Sequence, residues 1–251
     1  MTRRVTAVCL ALIAFILVPG CGDDSGSPTL RVSAAASLKD AFTDYGSQFK
    51  GADASFSFAG SDELAAQIRK GGRPDVFAAA NTKLPDQLYE EGLVERPVVF
   101  AANRLVIAVP AGSDVVRSLG GLSTAGVRIA AGSPSVPVGA YTREVLGRLG
   151  KRVARAIELN IRSNEPDVSG VVGKLSQGAV NAGFVYVTDV RASGGRLRAI
   201  ELPARLRPNV LYSTAVVKGT SHREQARAFV DGLTSVAGQK ALRDAGFEPP
   251  R

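Results

Sequence analysis

Apolar positions along the chain switch between a period of two and a period near 3.6, the signatures of strands and helices. Leu30 to Ala35 reads as a short strand, and Leu38, Ala41, Phe42, Tyr45 and Phe49 then follow helical spacing. Ala54 to Ala59 alternates as a strand, and Leu64, Ala65 and Ile68 mark a helix face stopped by Gly71-Gly72. A strand is predicted over Asp75 to Ala80 and a helix near Leu84 to Glu91. Strands at Leu105 to Val109 and Val127 to Ala131 precede helical spacing at Val138, Tyr141, Val145 and Leu149. A short helix over Val153 to Leu159 and a helix face at Val168, Val171, Val172 and Leu175 follow. Strands are expected at Ala182 to Val187, Ala199 to Leu202 and Val210 to Val217, with helix over 221–246. Such alternation predicts α/β layers with mostly parallel sheets. No internal sequence repeat accompanies it.

The N-terminus stands outside this pattern. Arg3 and Arg4 precede Val5 to Val18, an uncharged apolar stretch of 14 residues. A bilayer span takes about 20 residues, so this length suits the core of a secretory signal. The run Leu17-Val18-Pro19-Gly20-Cys21 resembles the lipobox of bacterial lipoproteins. That resemblance implies cleavage after residue 20, a diacylglyceryl thioether on Cys21 and acylation of the new N-terminus; the alternative is plain cleavage beside an incidental cysteine. Cys9 would leave with the signal, and the single remaining cysteine excludes an internal disulfide. Residues 21–28, from Cys21 to Pro28, read as a flexible polar tether. An exported chain, lipid-anchored to the outer face of the cell membrane, is the expectation.

Composition narrows the class. The 251 residues hold 31 Lys+Arg and 23 Asp+Glu, a net charge of +8; without residues 1–20 the balance is 29 against 23, or +6. The basic residues are scattered, which points to solvated surface and away from nucleic acid. At 45% hydrophobic residues the chain is long enough and apolar enough for a packed core.

Candidate chemistry gathers where helices begin. Four predicted helix starts carry small or turn-forming residues: Ala34-Ala35-Ala36-Ser37-Leu38, Phe58-Ala59-Gly60-Ser61-Asp62, Pro134-Ser135-Val136-Pro137-Val138-Gly139 and Asn164-Glu165-Pro166-Asp167-Val168. A helix start exposes N–H groups without intrahelical partners and the positive end of the helix dipole, which together suit an anion. Each also has a purely structural reading. Ser37 with Asp40 fits a capping box, Ser61 suits an N-cap, Pro137 and Pro166 are common near helix starts, and Tyr186 reads as a half-buried strand tyrosine.

These runs, in this order, resemble the molybdate-binding proteins of ATP-driven molybdate importers, which have the type II periplasmic-binding fold. The resemblance extends from about Thr29 to Phe247. It also rests on Gly72-Arg73-Pro74-Asp75-Val76-Phe77 and Ala182-Gly183-Phe184-Val185-Tyr186-Val187-Thr188-Asp189. It implies two lobes of mixed, mostly parallel sheet flanked by helices, with the ligand in the cleft between them. One lobe would hold 29–108 plus 211–251 and the other 109–210, with crossings near Asn103 to Pro110 and Asn209 to Val216. It further implies an oxyanion held by hydroxyl and amide of Ser37 and Ser61, by the amides of Val138 and Val168 and by the phenol of Tyr186, with no protein atom bound directly to the metal. Molybdate or tungstate would be the ligand, and a membrane permease with a separate ATPase the partner. No further cofactor and a monomeric chain are expected.

A molybdate dianion only accepts hydrogen bonds, so a donor-only cage suits it. Phosphate usually keeps a proton near neutral pH and wants an acceptor as well; sulfate lacks that proton and remains open. Asp62, next to Ser61, is the residue that could disturb such a cage, although solvent exposure beside the helix dipole is the expected placement. A Ser37 or Ser61 nucleophile would need a nearby base, and the only histidine, His222, belongs to no triad pattern. Asp167 and Asp189 could form an acid pair, but helix capping and strand-end turns are the favoured reading of both. A protein that binds rather than catalyses is therefore expected.

Overall fold

A computed structural model describes residues 28–250. The signal stretch, Cys21 and residues 22–27 of the tether lie outside the described residues. Among the described residues ten strands form two five-stranded sheets. The first sheet contains β1 (Thr29–Ala35), β2 (Asp53–Ala59), β3 (Val76–Ala79), β4 (Val98–Asn103) and β10 (Val210–Val216), in the order β2-β1-β3-β10-β4. The second contains β5 (Leu105–Pro110), β6 (Ile129–Gly132), β7 (Ile161–Glu165), β8 (Ala182–Tyr186) and β9 (Leu197–Glu201), in the order β7-β6-β8-β5-β9.

In each sheet four strands run one way and one runs against them: β10 is antiparallel to β3 and β4, and β5 to β8 and β9. The odd strand is in both cases the first to arrive from the other lobe. The sheets are thus mixed, with most strands co-directional. The first crossing lies at Arg104, because β4 ends at Asn103 and β5 begins at Leu105. The expected limit at residue 108 puts Leu105 to Ala108 with the first lobe; their ladder bonds go to β8 and β9 of the second sheet. This uniformly apolar strand is buried along nearly its whole length, as a central strand must be.

The helices are α1 (Lys39–Gln48), α2 (Ser61–Arg69), α3 (Lys83–Glu90), α4 (Pro137–Gly147), α5 (Lys151–Asn160), α6 (Val168–Ser176), α7 (Val187–Ala192), α8 (Arg223–Leu233) and α9 (Val236–Asp244). On one face of the first sheet Phe42 of α1 sits 5.7 Å from Phe100, 6.2 Å from Phe56 and 5.8 Å from Phe229 between ring centroids. Leu64 and Ile68 of α2 and Leu84 and Leu88 of α3 cover the other face with Phe77. Burying each such side chain stabilises by about 1.5–3 kcal/mol, so the sheet is a rigid platform held from both sides.

Three elements escaped the periodicity reading. β4 was not predicted, and neither was β7, whose sequence IRSNE is polar with half-buried and exposed positions in turn, as befits an edge strand. α7 begins where a strand was expected to end, since Asp189 accepts the Tyr186 N–H (2.8 Å) and starts a helix there. The terminal helical region divides into α8 and α9 at Ser235, which accepts from Gly238 N–H (3.3 Å).

The order also holds a repeat that the sequence does not display. β1–α1–β2–α2–β3 matches β6–α4–α5–β7–α6–β8 in spatial order, each flanked in its sheet by an arriving antiparallel strand. The four candidate helix starts fall at equivalent places, after the first and second strands of each unit. They lie at the carboxyl ends of parallel strands, where α/β sheets take their ligands.

Candidate functional site

All five expected residues line one small cavity between the lobes. Ser37, Ser61, Val138, Val168 and Tyr186 are joined there by Ala35, Ala36, Ala59, Gly60, Ala80, Val136, Pro137 and Asp167. The space open to the centre of a water-sized sphere is about 20 Å³. One water needs roughly 10–15 Å³ on that measure, so the cavity admits a single small guest.

Each donor is presented by the start of a helix. Ser37 is the second residue of a 3-10 turn, Ala36–Leu38, that leads into α1. Ser61 and Val168 are the first residues of α2 and α6, and Val138 is the second of α4. At those positions the N–H groups lack an intrahelical acceptor. Pro137 at the first position of α4 surrenders no bond, because its nitrogen would have had no partner.

The serines do not cap their helices. Ser37 was a candidate capping-box residue, but its Oγ lies 2.8 Å from Tyr212 Oη. The N-cap of α2 is Gly60, and Ser61 Oγ accepts the Ala80 N–H at 3.1 Å, leaving the serine proton to donate elsewhere. A tertiary N–H has displaced the local bond that short hydroxyl side chains ordinarily make.

Tyr186 ends β8 and is 1% exposed, where a half-buried strand tyrosine was the plain expectation. Its hydroxyl is buried without a hydrogen-bond partner. Tyr212 packs beside it, rings 5.9 Å apart, while the Tyr212 hydroxyl engages Ser37. Burial, reinforced by Tyr212, holds the Tyr186 phenol well above its ordinary value, so it is a neutral donor at physiological pH. Leaving a buried hydroxyl unmet costs about 1–3 kcal/mol, a penalty that a bound acceptor would remove.

Among the described residues no Lys or Arg lines the cavity, and Asp167 is its one acid. Asp167 Oδ1 accepts from Gly170 N–H (2.9 Å), capping α6. Asp62 does not line the cavity, yet its placement differs from the expected exposure: Oδ1 is buried without a partner. It folds back beside Gly60, where the positive end of α2 draws it. A Cβ added to Gly60 would lie 2.5 Å from Pro166 O of the other lobe, so glycine allows the lobes to meet there. Asp189 is half-buried, and desolvation, with Asp167 and Asp40 adding to it against the Tyr186 N–H, pushes its carboxyl up to about 7. His222 is remote from the cavity, with Nδ1 3.4 Å from Asp75 Oδ1.

A larger groove of about 410 Å³ opens next to this cavity and shares Ser37 with it. Its walls mix Asp40, Asp44 and Asp244 with Arg191 and Arg196. It lacks the four convergent helix starts of the smaller cavity. Among described residues no group of three or more His, Cys, Asp and Glu could hold a metal ion. Sequence reasoning missed Ala80, whose N–H sets Ser61, and Tyr212, which meets Ser37 from a strand 175 positions away. No local pattern marks either.

Two sheets of one topology, joined by two crossings and facing each other across a donor-lined cavity, define a two-lobed solute-binding protein. Residues 30–248 match the family of bacterial extracellular solute-binding proteins, and the chain belongs to it. A molybdate-binding protein, ModA, of Mycobacterium tuberculosis is 36% identical over 266 aligned residues, covering 98% of this chain and all of that protein. The periplasmic molybdate-binding protein of Azotobacter vinelandii shares the fold with a TM-score of 0.79 at 22% identity, over 88% of this chain and all of that one. The sulfate-binding protein SubI of M. tuberculosis shares it with a TM-score of 0.78 at 16% identity, over 88% and 87%. The type II fold is therefore common to binders of different oxyanions.

Proposed function

We propose that this protein captures molybdate, and tungstate with it, outside the cytoplasm and delivers it to a membrane permease driven by a separate ATPase. The observation that carries this reading is the cavity's lining: two serine hydroxyls, four helix-start amides and the unpartnered Tyr186 hydroxyl, without a basic side chain. Fully deprotonated tetrahedral dianions offer only acceptors, and such a lining offers donors. Hydrogen bonds to a charged group contribute about 1.5–3 kcal/mol each. Five of them amount to roughly 8–15 kcal/mol before ordering costs, a range that includes micromolar to nanomolar binding.

Ser37 and Ser61 belong to the first lobe, and Val138, Val168 and Tyr186 to the second. A guest touching both sets favours the closed arrangement, because only there are all its acceptors met. The family relationship and the M. tuberculosis relative support molybdate over other dianions. The lipobox-like run at Cys21 supports a lipid tether to the outer face of the cell membrane. Among the described residues no helix is long and apolar enough to cross a membrane. The family relationship supports binding as the role, and the Ser37 and Ser61 hydroxyls are held by Tyr212 and by the Ala80 N–H.

Isothermal titration of the domain from residue 28 onward with molybdate, tungstate, sulfate and phosphate tests the reading. Tight one-to-one binding of molybdate and tungstate, with sulfate weaker and phosphate weakest, is expected. Preference for sulfate would instead make it a sulfate receptor, and preference for phosphate would show that Asp167 or Asp62 accepts a ligand proton.

A further inference from the structure

Behind Ser37 lies a buried chain of polar groups that does not touch the cavity. Asn103 ends β4, beside the first crossing, and its Oδ1 accepts the Arg104 N–H at 2.8 Å. That bond turns the amide so that Nδ2 faces inward, where it donates to Thr188 Oγ1 (2.9 Å) and, at the long limit, to Tyr212 Oη (3.4 Å). Tyr212 is fully buried on β10, its ring edge-on to Phe247 at 5.2 Å and to Phe100 at 6.3 Å. Its Oη meets Ser37 Oγ at 2.8 Å.

The donor inventory gives this chain a direction. An amide NH₂ only donates, so the Tyr212 oxygen accepts from Asn103. A phenol is more acidic than an alkyl hydroxyl, so it is the better donor of the Ser37–Tyr212 pair. Either hydroxyl can donate at this distance; with Tyr212 as the donor, Ser37 accepts and its own single proton is left for the cavity. We propose that Tyr212, held by Asn103, is a positioning residue that aims the Ser37 hydroxyl at the bound oxyanion. The proposal rests on the reading of the cavity as an oxyanion site. Asn103 also bonds Thr188 of the second lobe, so the same amide ties this aiming device to the place where the chain crosses between lobes.

The test is a double-mutant cycle read by titration with molybdate on the wild type, Tyr212→Phe, Ser37→Ala and the double variant. Phenylalanine keeps the ring and its packing. Tyr212→Phe is expected to weaken binding about 5- to 20-fold in the wild-type background and less than twofold in the Ser37→Ala background. Equal losses in both backgrounds would reveal a merely structural role, and an unchanged Tyr212→Phe affinity would remove the role altogether. A wild type that binds none of the oxyanions would overturn the site reading itself, which separates the two failures. A second measurement needs no variant. In the wild-type protein the Tyr212 hydroxyl proton should be slow to exchange by NMR and show a nuclear Overhauser contact to the Ser37 β-protons; a rapidly exchanging proton contradicts the proposal.

Discussion

In the first lobe the helix starts that face the cavity carry Ser37 and Ser61; at the equivalent places in the second lobe stand Val138 and Val168. The backbone offers an amide at all four points, and its direction is set by the helix. A serine adds a second donor, but a hydroxyl rotates and must be aimed. The first lobe supplies an aiming partner for each, Ala80 N–H for Ser61 and Tyr212 for Ser37. The second lobe needs none for its amides and adds one side-chain donor, Tyr186, whose hydroxyl no protein atom satisfies. Equivalent topology therefore yields two kinds of donor, one adjustable by side-chain substitution and one built into the main chain.

The largest expected effect strikes the main-chain half. A Cβ at residue 139 would lie 1.9 Å from Ser133 O and 2.5 Å from Gly132 O. Gly139→Ala should displace the start of α4, abolish molybdate binding by calorimetry and lower the melting temperature. Retained binding would show that Val138 contributes no donor. Next comes Val168→Pro. Proline is tolerated at the first helical position, and Asp167 before it is already extended (φ −158°, ψ 178°), as a residue preceding proline should be. The substitution deletes one N–H, so affinity should fall roughly 10- to 100-fold, in line with about 1.5–3 kcal/mol per charged hydrogen bond. An unchanged dissociation constant would exclude the Val168 amide.

Tyr186→Phe separates affinity from stability. Affinity should drop about tenfold, while the ligand-free protein melts at the same temperature or higher, because a buried unmet hydroxyl is gone. Parallel losses in both would mean that the hydroxyl is satisfied within the protein.

The smallest expected effect is a pH dependence. Folding raises the Asp189 carboxyl from its ordinary 3.8 to about 7, so the folded state holds the proton more tightly than the unfolded chain. Its contribution to stability is full below the unfolded value and is lost as pH rises through about 7. Ionised Asp189 beside Tyr186 also repels a dianion. Molybdate affinity should decline a few-fold between pH 6 and 8 and stay flat in Asp189→Asn. The same decline in that variant would assign it to another group.

How much of this was legible beforehand follows the range of the interactions. Helix starts are local events written in Ser, Pro, Gly and small residues, so four of the site's contributors stand out along the chain. What those serines do there was not legible. Capping rules consider the next few residues, whereas Ser61 bonds an N–H 19 positions later and Ser37 a phenol 175 positions later. β7 was missed because an edge strand needs little apolar surface. The first crossing falls within the expected Asn103 to Pro110 segment, but the expected lobe limit stands at 108 rather than at Arg104, because one uninterrupted apolar strand reads the same whichever sheet receives it.

Crystals grown with molybdate and measured at the molybdenum absorption edge test the central claim most directly. One anomalous peak is expected in the small cavity, with its oxygens within about 3 Å of Ser37, Ser61 and Tyr186 hydroxyls and of Val138 and Val168 nitrogens. A peak in the wide charged groove instead, or one contacted by a single lobe, would contradict it.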